Sequence, residues 1–312
     1  MELRQLRYFK HVAELGSFSK AASYLSVAQP ALSRQVGKLE QELGVALLYR
    51  NGRGVTVTEA GAVLLQRAII ILEQCTKTIA EVTSVGGTVR GRVTLGLTPT
   101  ISQVLTAPLI AKLHHDYPQV SLEVVEGFSG HVNEWLSAGR LDVGILNNAP
   151  RLGNLAAEEL LVEELVLVGP TEQSKKSGRA IALKELQGMP LILPSQPHGL
   201  RELVDQVAIK RGLAITVSHE INALSTIKQL VEDAVGSTIL PYASVHKEVS
   251  DGRMSAYRIK GTPFTQAVVL AVSSQRPLSL ASRKLLDCIK AQVSALHQSG
   301  QWPGSFLRQD RA

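Results

Sequence analysis

The chain has 312 residues, a formal net charge of +6 and a pI of about 9.3, and its length predicts about two domains. The two cysteines, Cys75 and Cys288, are too few and too far apart for a disulfide framework. Because no apolar run could span a bilayer and no leader peptide precedes the first helix, we expect a cytoplasmic protein that has no membrane partner.

The first fifth of the chain carries most of the excess positive charge. Residues 1–57 contain eight Lys or Arg and four Asp or Glu. Leu3–Leu15 has the apolar stripe of an amphipathic helix that Gly16 would end. A basic N-terminal segment of this kind is where a polyanion such as nucleic acid would bind.

Two helices with a tight turn are predicted between Ser17 and Leu43. We expect Ser19 to cap the first helix and residues 26–28 to form the turn. The second helix should begin at Gln29-Pro30, because a proline in the first turn loses no intrahelical hydrogen bond. Its buried face should consist of Leu32, Val36, Leu39 and Leu43. A short helix, a turn and a polar-faced second helix are typical of a helix-turn-helix, although an ordinary helical hairpin shares this pattern.

The polar face of the second helix and a following hairpin supply the candidate DNA contacts. Arginine can bind guanine O6 and N7, glutamine can bind adenine, and small apolar side chains can contact thymine methyl groups. Asn51-Gly52 predicts a tight turn between two short strands, which would form a wing with arginines near its tip. A solvated hairpin is the alternative. The predicted DNA-binding residues are Gln29, Pro30, Ala31, Ser33, Arg34, Lys38, Arg50 and Arg53.

Thr58-Glu59 should begin a long helix that runs to about Val85. Apolar residues recur along it with the 3.5-residue period of a coiled coil. Since few residues before this helix could cover its stripe, we expect the stripe to pack against a second copy of the chain. Packing against the domain that follows in the same chain is the alternative. The predicted dimerisation residues are Leu65, Ala68, Leu72, Cys75, Ile79 and Val82.

After Gly86-Gly87 the pattern changes to alternating strands and helices, which predicts a mostly parallel sheet covered by helices. The segments Leu165–Gly169 and Phe264–Val272 would cross between two α/β lobes and form a clamshell with a ligand cleft. A final helix is expected from Ser279 to about Leu296. The polar segment from Ser299 onward should be loose.

Polar loops after successive strands should face this cleft. Hydroxyl groups and backbone N–H groups at a helix N-terminus suit a carboxylate or a similar anion. Thr98 or Ser129 could instead be a plain helix cap, and His198 a cap or a surface residue. The predicted effector-binding residues are Thr98, Thr100, Ser102, Phe128, Ser129, Asn147, Pro197 and His198.

The sequence contains no convincing catalytic set. His114 and His115 lack the spacing that would place two metal ligands on one helix face. There is no phosphate-binding glycine loop, paired-carboxylate motif or nucleophile elbow. We therefore expect neither an enzyme nor a bound cofactor or metal.

Nearly the whole chain resembles the LysR-type transcriptional regulators. The resemblance lies in Ser17-Phe18-Ser19, Ala21-Ala22, Gln29-Pro30-Ala31-Leu32-Ser33, Leu39-Glu40, Leu43-Gly44, Leu48-Tyr49-Arg50, Thr58-Glu59-Ala60-Gly61 and Leu141-Asp142-Val143-Gly144. It implies a winged helix-turn-helix, a coiled-coil linker helix and a two-lobed effector domain of the periplasmic-binding-protein type. It also implies a homotetramer built as a dimer of dimers, which binds interrupted inverted repeats of double-stranded DNA and contacts RNA polymerase.

The resemblance and the residue patterns together set the expected domain boundaries. These are 1–58 for the DNA-binding domain, 59–87 for the linker helix, 92–298 for the effector domain and 299–312 for a flexible tail. Within the effector domain, lobe I should comprise 92–163 and 268–298, and lobe II 164–267. Small-molecule binding in the cleft is expected to change the promoter contacts. The regulator would then act as an activator or a repressor.

Some segments are similar to the nitrogen-assimilation-control subgroup, in which some regulators act without an obvious effector. They are Gly91, Ile71–Cys75, Leu193-Pro194-Ser195 and His198-Gly199-Leu200-Arg201. An effector-independent regulator is therefore one alternative function. A solute-binding receptor is another, since the clamshell alone would suit one.

Overall fold

The computed structural model describes residues 1–51, 54–83, 88–148, 153–171, 180–260 and 264–306. The chain divides into two compact units, Met1–Thr88 and Val89–Ala312. No helix in the described part of the chain is both long and apolar enough to cross a membrane.

The described residues of the first unit form four helices and one β-hairpin. Its elements are α1 (Leu3–Leu15), α2 (Phe18–Tyr24), α3 (Gln29–Leu43), β1 (Leu48–Asn51), β2 (Gly54–Val57) and α4 (Glu59–Thr83). Gly16 ends α1 in the left-handed conformation, with φ of 60°. The N-cap of α2 is Ser17 and not Ser19 as expected, because the Ser17 hydroxyl accepts the N–H of Lys20 at 3.3 Å.

One hydrophobic core joins α1, α2, α3 and the base of the hairpin. On α3, Leu32, Val36 and Leu39 are fully buried in this core. Leu43, expected on the same face, is 41% exposed instead. It is the last residue of α3, since Gly44 adopts a left-handed conformation there, and the core does not reach that far.

The first half of α4 packs against this same core. Ala68 is fully buried in it, and Leu65 and Leu72 are partly buried against it. The expectation that the stripe on α4 finds no partner within its own chain is therefore wrong for this half. Farther along, Ile79 and Val82 are 65% and 67% exposed, so the second half presents an apolar surface.

The junction between the hairpin and α4 leaves no space for a side chain. The Thr58 hydroxyl donates to the carbonyl of Ala46 at 2.7 Å and accepts the N–H of Gly61 at 2.9 Å. This places Gly61 against the backbone of Leu47. A Cβ atom on Gly61 would lie 2.0 Å from the Leu47 carbonyl oxygen, so only glycine fits.

The second unit begins with alternating strands and helices. These are β3 (Gly91–Leu97), α5 (Pro99–Asp116), β4 (Val120–Glu126), α6 (Ser129–Ala138), β5 (Val143–Asn147), β6 (Leu155–Pro170), β7 (Ile181–Ala182), β8 (Pro190–Leu193), α7 (Gly199–Arg211), β9 (Thr216–Glu220) and α8 (Leu224–Glu232). It continues with β10 (Thr238–Pro241), α9 (His246–Ser250), β11 (Met254–Tyr257), β12 (Ile259–Lys260), β13 (Thr265–Ser273) and α10 (Leu280–Gln298).

Two long strands connect the two lobes of this unit. The sheet order is β10-β6-β13-β5-β3-β4, and β11 also pairs with β6. The β3, β4 and β5 strands are mutually parallel, whereas β13 runs antiparallel to both β5 and β6. The first part of β6 pairs with β13, and its last part pairs with β10 and β11. The 16-residue strand β6 therefore belongs to both lobes.

The segment after α10 is packed and not loose, at least as far as Phe306, where the described part ends. Trp302 is fully buried, and its indole N–H donates to Glu163 at 2.6 Å. Ser305 and Val162 exchange two backbone hydrogen bonds of 2.8 and 2.9 Å. The polar composition predicted a loose segment. The buried indole of Trp302 and the backbone hydrogen bonds of Ser305 instead hold it against β6.

We predict that Gly61→Ala destabilises the first unit by about 1–3 kcal/mol, because the added methyl group collides with a backbone carbonyl that cannot move away. Hydrogen exchange of the backbone amides of residues 1–83, measured in the full-length protein, should show weaker protection.

Gly37→Ala in α3 is the matched control. A Cβ atom there meets nothing within 4 Å, and alanine is a better helix former by up to about 1 kcal/mol. Its protection should be equal or stronger. Similar loss of protection in both variants would contradict the packing described at Gly61.

Candidate functional site

One face of α3 carries exposed polar side chains, and the opposite face of the helix is buried. Gln29, Pro30, Arg34 and Lys38 are exposed, whereas Ala31 and Ser33 are partly buried. The spacing of four residues between Pro30, Arg34 and Lys38 aligns them along the helix. The structure thus brings these predicted DNA-binding residues together on one accessible surface.

Arg50 lies at the edge of this surface but is held by contacts within the unit. Its guanidinium lies 4.7 Å from the ring centroid of Phe18, 3.4 Å from the Ser33 hydroxyl and 3.6 Å from a carboxylate oxygen of Glu40. Its side chain is still half exposed. Arg50 therefore has a structural role in joining the hairpin to α2 and α3. Arg53, the other predicted wing arginine, lies outside the described residues.

Glu40 orients the hairpin relative to α3. One carboxylate oxygen accepts the backbone N–H groups of Leu47 and Leu48, at 2.9 and 3.2 Å. The other oxygen faces Arg50. Sequence reasoning did not assign Glu40 a role, and its proximity in sequence to the hairpin was the only available signal.

We predict that Arg50→Gln lowers the free energy of unfolding of the first unit by about 1 kcal/mol, because it removes a cation–π contact and an exposed ion pair. Hydrogen exchange of residues 1–57 in the full-length protein measures this loss. Arg34→Gln, at an exposed position on α3, is the control and should leave protection unchanged. Equal effects of the two substitutions would contradict a structural role for Arg50.

The second unit contains a cavity of about 580 Å³ between its two lobes. Seven of the eight predicted effector-binding residues line it: Thr98, Thr100, Phe128, Ser129, Asn147, Pro197 and His198. The eighth, Ser102, does not. The Ser102 hydroxyl lies 2.9 Å from the Thr106 hydroxyl. Ser102 is buried in α5, just beyond the residues of this helix that line the cavity.

Helices α5, α6 and α7 begin at the wall of the cavity. Thr98, Phe128 and His198 are the N-cap residues of α5, α6 and α7, and all three line it. Backbone N–H groups of a first helical turn have no intrahelical acceptors and attract anions. The first turns thus offer backbone N–H donors on this wall, without any lysine or arginine among the described lining residues, although Glu202 adds a carboxylate in the first turn of α7.

His198 connects α7 to the aromatic part of this wall. Its Nδ1 accepts the N–H of Leu200 at 3.1 Å, and its ring lies edge-on to Phe128 with centroids 4.5 Å apart. Burial lowers the pKa of His198 below its usual value. The imidazole is therefore neutral at pH 7 and acts as a helix cap, which was the alternative considered for this residue.

Several lining residues were not predicted from the sequence. Polar ones are Asn148, Glu202, Gln206, Asn222 and Gln266, and apolar ones include Leu203, Leu224, Ile227 and Leu240. Gln266 could have been predicted from the sequence, because it is a large polar residue in a mostly apolar crossing strand. The others come mainly from α7 and α8 of lobe II, whose orientation toward the cavity is decided by tertiary packing.

Behind the cavity lies the buried carboxylate of Glu163, on β6. It accepts N–H groups from Gln266, Trp302 and Asn147, at 2.7, 2.6 and 3.4 Å. Burial raises the pKa of Glu163, and these three hydrogen bonds partly oppose that rise. Within the described part of the chain, no group of three or more His, Cys, Asp or Glu residues could hold a metal ion.

Comparison with known protein families agrees with this arrangement. The model of the bacterial regulatory helix-turn-helix protein, lysR family, matches residues 3–62, and the LysR substrate binding domain matches residues 86–294. The chain belongs to the LysR family of transcriptional regulators. This confirms the predicted family, the predicted fold class and a function in DNA-binding transcription regulation. It also supports the prediction of no enzymatic activity, since the relatives are named as regulators.

Two relatives illustrate the similarity. The chain is 32% identical over 295 residues to the nitrogen assimilation regulatory protein nac of Klebsiella aerogenes, which covers 94% of this chain and 96% of the relative. It is 30% identical to the HTH-type transcriptional regulator BbuR of Bordetella bronchiseptica, over 96% of this chain and 92% of the relative.

Solved structures of LysR regulators resemble the whole chain. Full-length CbnR in complex with its target DNA has a TM-score of 0.73 and 26% identity, covering 95% of this chain and 99% of CbnR. A full-length OxyR variant from Pseudomonas aeruginosa has a TM-score of 0.70 and 25% identity, covering 94% of each chain.

Proposed function

We propose that this LysR regulator reads interrupted inverted repeats through α3 and that a small molecule in the interlobe cavity modulates its promoter contacts. The observation that carries the DNA-binding part is the accessible row of polar side chains on α3, opposite a fully buried face. CbnR, a structural relative, forms a complex with its target DNA, which supports the same use of the first unit here.

The exposed side chains of α3 suit different kinds of DNA contact. Gln29 and Arg34 can reach base edges, where a bidentate hydrogen bond discriminates between bases by about 1–3 kcal/mol. Pro30 and Ala31 can contact thymine methyl groups, and Ser33 can bind a base or a phosphate. Lys38, two turns into the helix, suits a phosphate, as would the wing residues Arg50 and Arg53.

Dimerisation is assigned to the second half of α4. Ile79 and Val82 expose apolar surface there, and Cys75 precedes them by one turn. Leu65, Ala68 and Leu72 instead pack within the first unit and would contribute at most an edge of the interface. Two copies joined along α4 would present two α3 helices, as an inverted repeat requires.

The remaining parts of the proposal follow from this role. A regulator of this family acts on DNA in the cytoplasm and assembles as a dimer of dimers. RNA polymerase is the partner through which promoter contacts would change transcription. The cavity in the second unit, with helix N-termini on one wall, supports an effector that carries an anionic group.

We predict that Arg34→Ala relaxes sequence preference, because a base contact is lost, whereas Lys38→Ala weakens binding to all DNA by a similar factor. Affinities for matched and singly mismatched operators, selected from random sequences, measure both effects. Arg283→Ala, at an exposed position on α10, is the control and should change neither. Loss of discrimination in Lys38→Ala but not in Arg34→Ala would reverse these roles.

We predict that Thr100→Val weakens effector binding by about fivefold, since one hydrogen bond at the cavity wall contributes about 1 kcal/mol. Small carboxylic acids, with and without amino groups, are the probes, and binding is measured by calorimetry on the full-length protein. Thr106→Val is the matched control, because its hydroxyl pairs with Ser102 outside the cavity lining. Unchanged affinity in Thr100→Val would remove the proposed site.

A further inference from the structure

Thr98, Asn147 and Gln266 form the floor of the cavity, and Glu163 lies behind them. The hydrogen bonds of Glu163 determine which atoms this floor presents. Glu163 is 2% exposed, and its cross-strand neighbour in the β6–β13 ladder is Gln266. All three of its partners are N–H donors, and an indole nitrogen can only donate. A carboxylate accepts all three with the amides in this orientation, whereas a carboxylic acid would need Asn147 or Gln266 to turn its carbonyl oxygen toward Glu163. The geometry therefore fits the ionised form.

This carboxylate orients two of the side-chain amides that line the cavity. Asn147 and Gln266 both turn their NH₂ groups toward Glu163, so their carbonyl oxygens point elsewhere. The oxygen of Asn147 accepts the hydroxyl proton of Thr98 at 2.9 Å. The Thr98 oxygen then has only lone pairs left for a ligand, and Gln266 likewise offers its carbonyl oxygen.

The floor of the cavity consequently attracts hydrogen-bond donors and positive charge. Thr98 and Gln266, which line it, present acceptor oxygens, and the buried carboxylate of Glu163 lies behind them. Glu202 adds a carboxylate to the lining, at an exposed position on α7. An ammonium group is the chemical complement of these acceptors, whereas an anion placed on this floor would be repelled.

The opposite preference exists at the wall formed by the N-termini of α5 and α6. There the first helical turns present backbone N–H donors, with the hydroxyl groups of Thr100 and Ser129 nearby. A carboxylate is favoured on this wall. The lobe II side adds the apolar side chains of Leu203, Leu224, Ile227 and Leu240.

We propose that the ligand of this cavity is an α-amino acid with an apolar side chain. Its ammonium group lies on the floor before Glu163, its carboxylate lies at the helix N-termini, and its side chain packs on the leucines and isoleucine of lobe II. The proposal rests on the proposed effector function of the same cavity and specifies the chemical class of the effector.

A series of ligands that differ by one charged group tests this class. The probes are L-leucine with 4-methylpentanoate and 3-methylbutylamine, and L-phenylalanine with 3-phenylpropanoate and 2-phenylethylamine. Binding to the full-length protein is measured by thermal shift and by calorimetry. At least one of the two amino acids should raise Tm and bind at least about tenfold more tightly than either of its analogues, because each analogue lacks one of the two charged contacts.

Substitution of the buried carboxylate tests the cause of this selectivity. Glu163→Gln removes the charge, so affinity for the amino acid should fall at least about tenfold while affinity for the matching carboxylate without an amino group stays within about threefold. Glu164→Gln is the matched control. Glu164 is adjacent on β6, half exposed and paired with Arg258 at 3.3 Å, and its substitution should change neither affinity.

The possible outcomes separate this proposal from the effector function on which it rests. If 4-methylpentanoate or 3-phenylpropanoate binds as tightly as its amino acid, the class is wrong but the cavity remains an effector site. If neither amino acid shifts Tm, the proposal is overturned. If an amino acid binds but Thr100→Val has no effect on it, both the site and the proposal fail. Should Glu163→Gln not fold, the ligand series on the unmodified protein decides alone.

Discussion

The second unit depends on the hydrogen bonding of one buried carboxylate. A charge that loses its water must gain equivalent partners, or its burial costs several kcal/mol. Glu163 obtains them from Asn147 on β5, Gln266 on β13 and Trp302 beyond α10. These partners come from segments that are distant in the chain. The requirement therefore connects both crossing strands, the floor of the cavity and the C-terminal segment at a single point.

The first unit is organised by a comparable constraint at smaller scale. The carboxylate of Glu40 accepts two backbone N–H groups at the start of the hairpin, and Gly61 allows the chain to pass against Leu47 with no side chain between. Together they set where β1 and β2 lie relative to α3. The surface that we assign to DNA is therefore positioned by residues that need not contact DNA themselves.

The two units divide the regulatory task in physical terms. The first presents donors and positive charge to a polyanion, through side chains on a helix whose other face is buried. The second surrounds a cavity whose walls differ in polarity, because helix N-termini lie on one wall and acceptors backed by Glu163 lie on its floor. Such a cavity can bind a ligand at both of its ends. A ligand that contacts both lobes can shift the populations of their alternative arrangements.

Local patterns in the sequence alone determined the helix-turn-helix, the hairpin, the alternation of strands and helices in the second unit and the loops that reach the cavity. Periodicity and capping act over a few residues, so the sequence shows them directly. Tertiary structure alone decided that Ala68 packs within its own unit, that Ser102 turns away from the cavity and that Trp302 anchors the last segment. It also decided that Glu163, Gln266 and Asn147 meet. These outcomes depend on contacts between residues far apart in the chain, and such contacts leave no local periodicity to read.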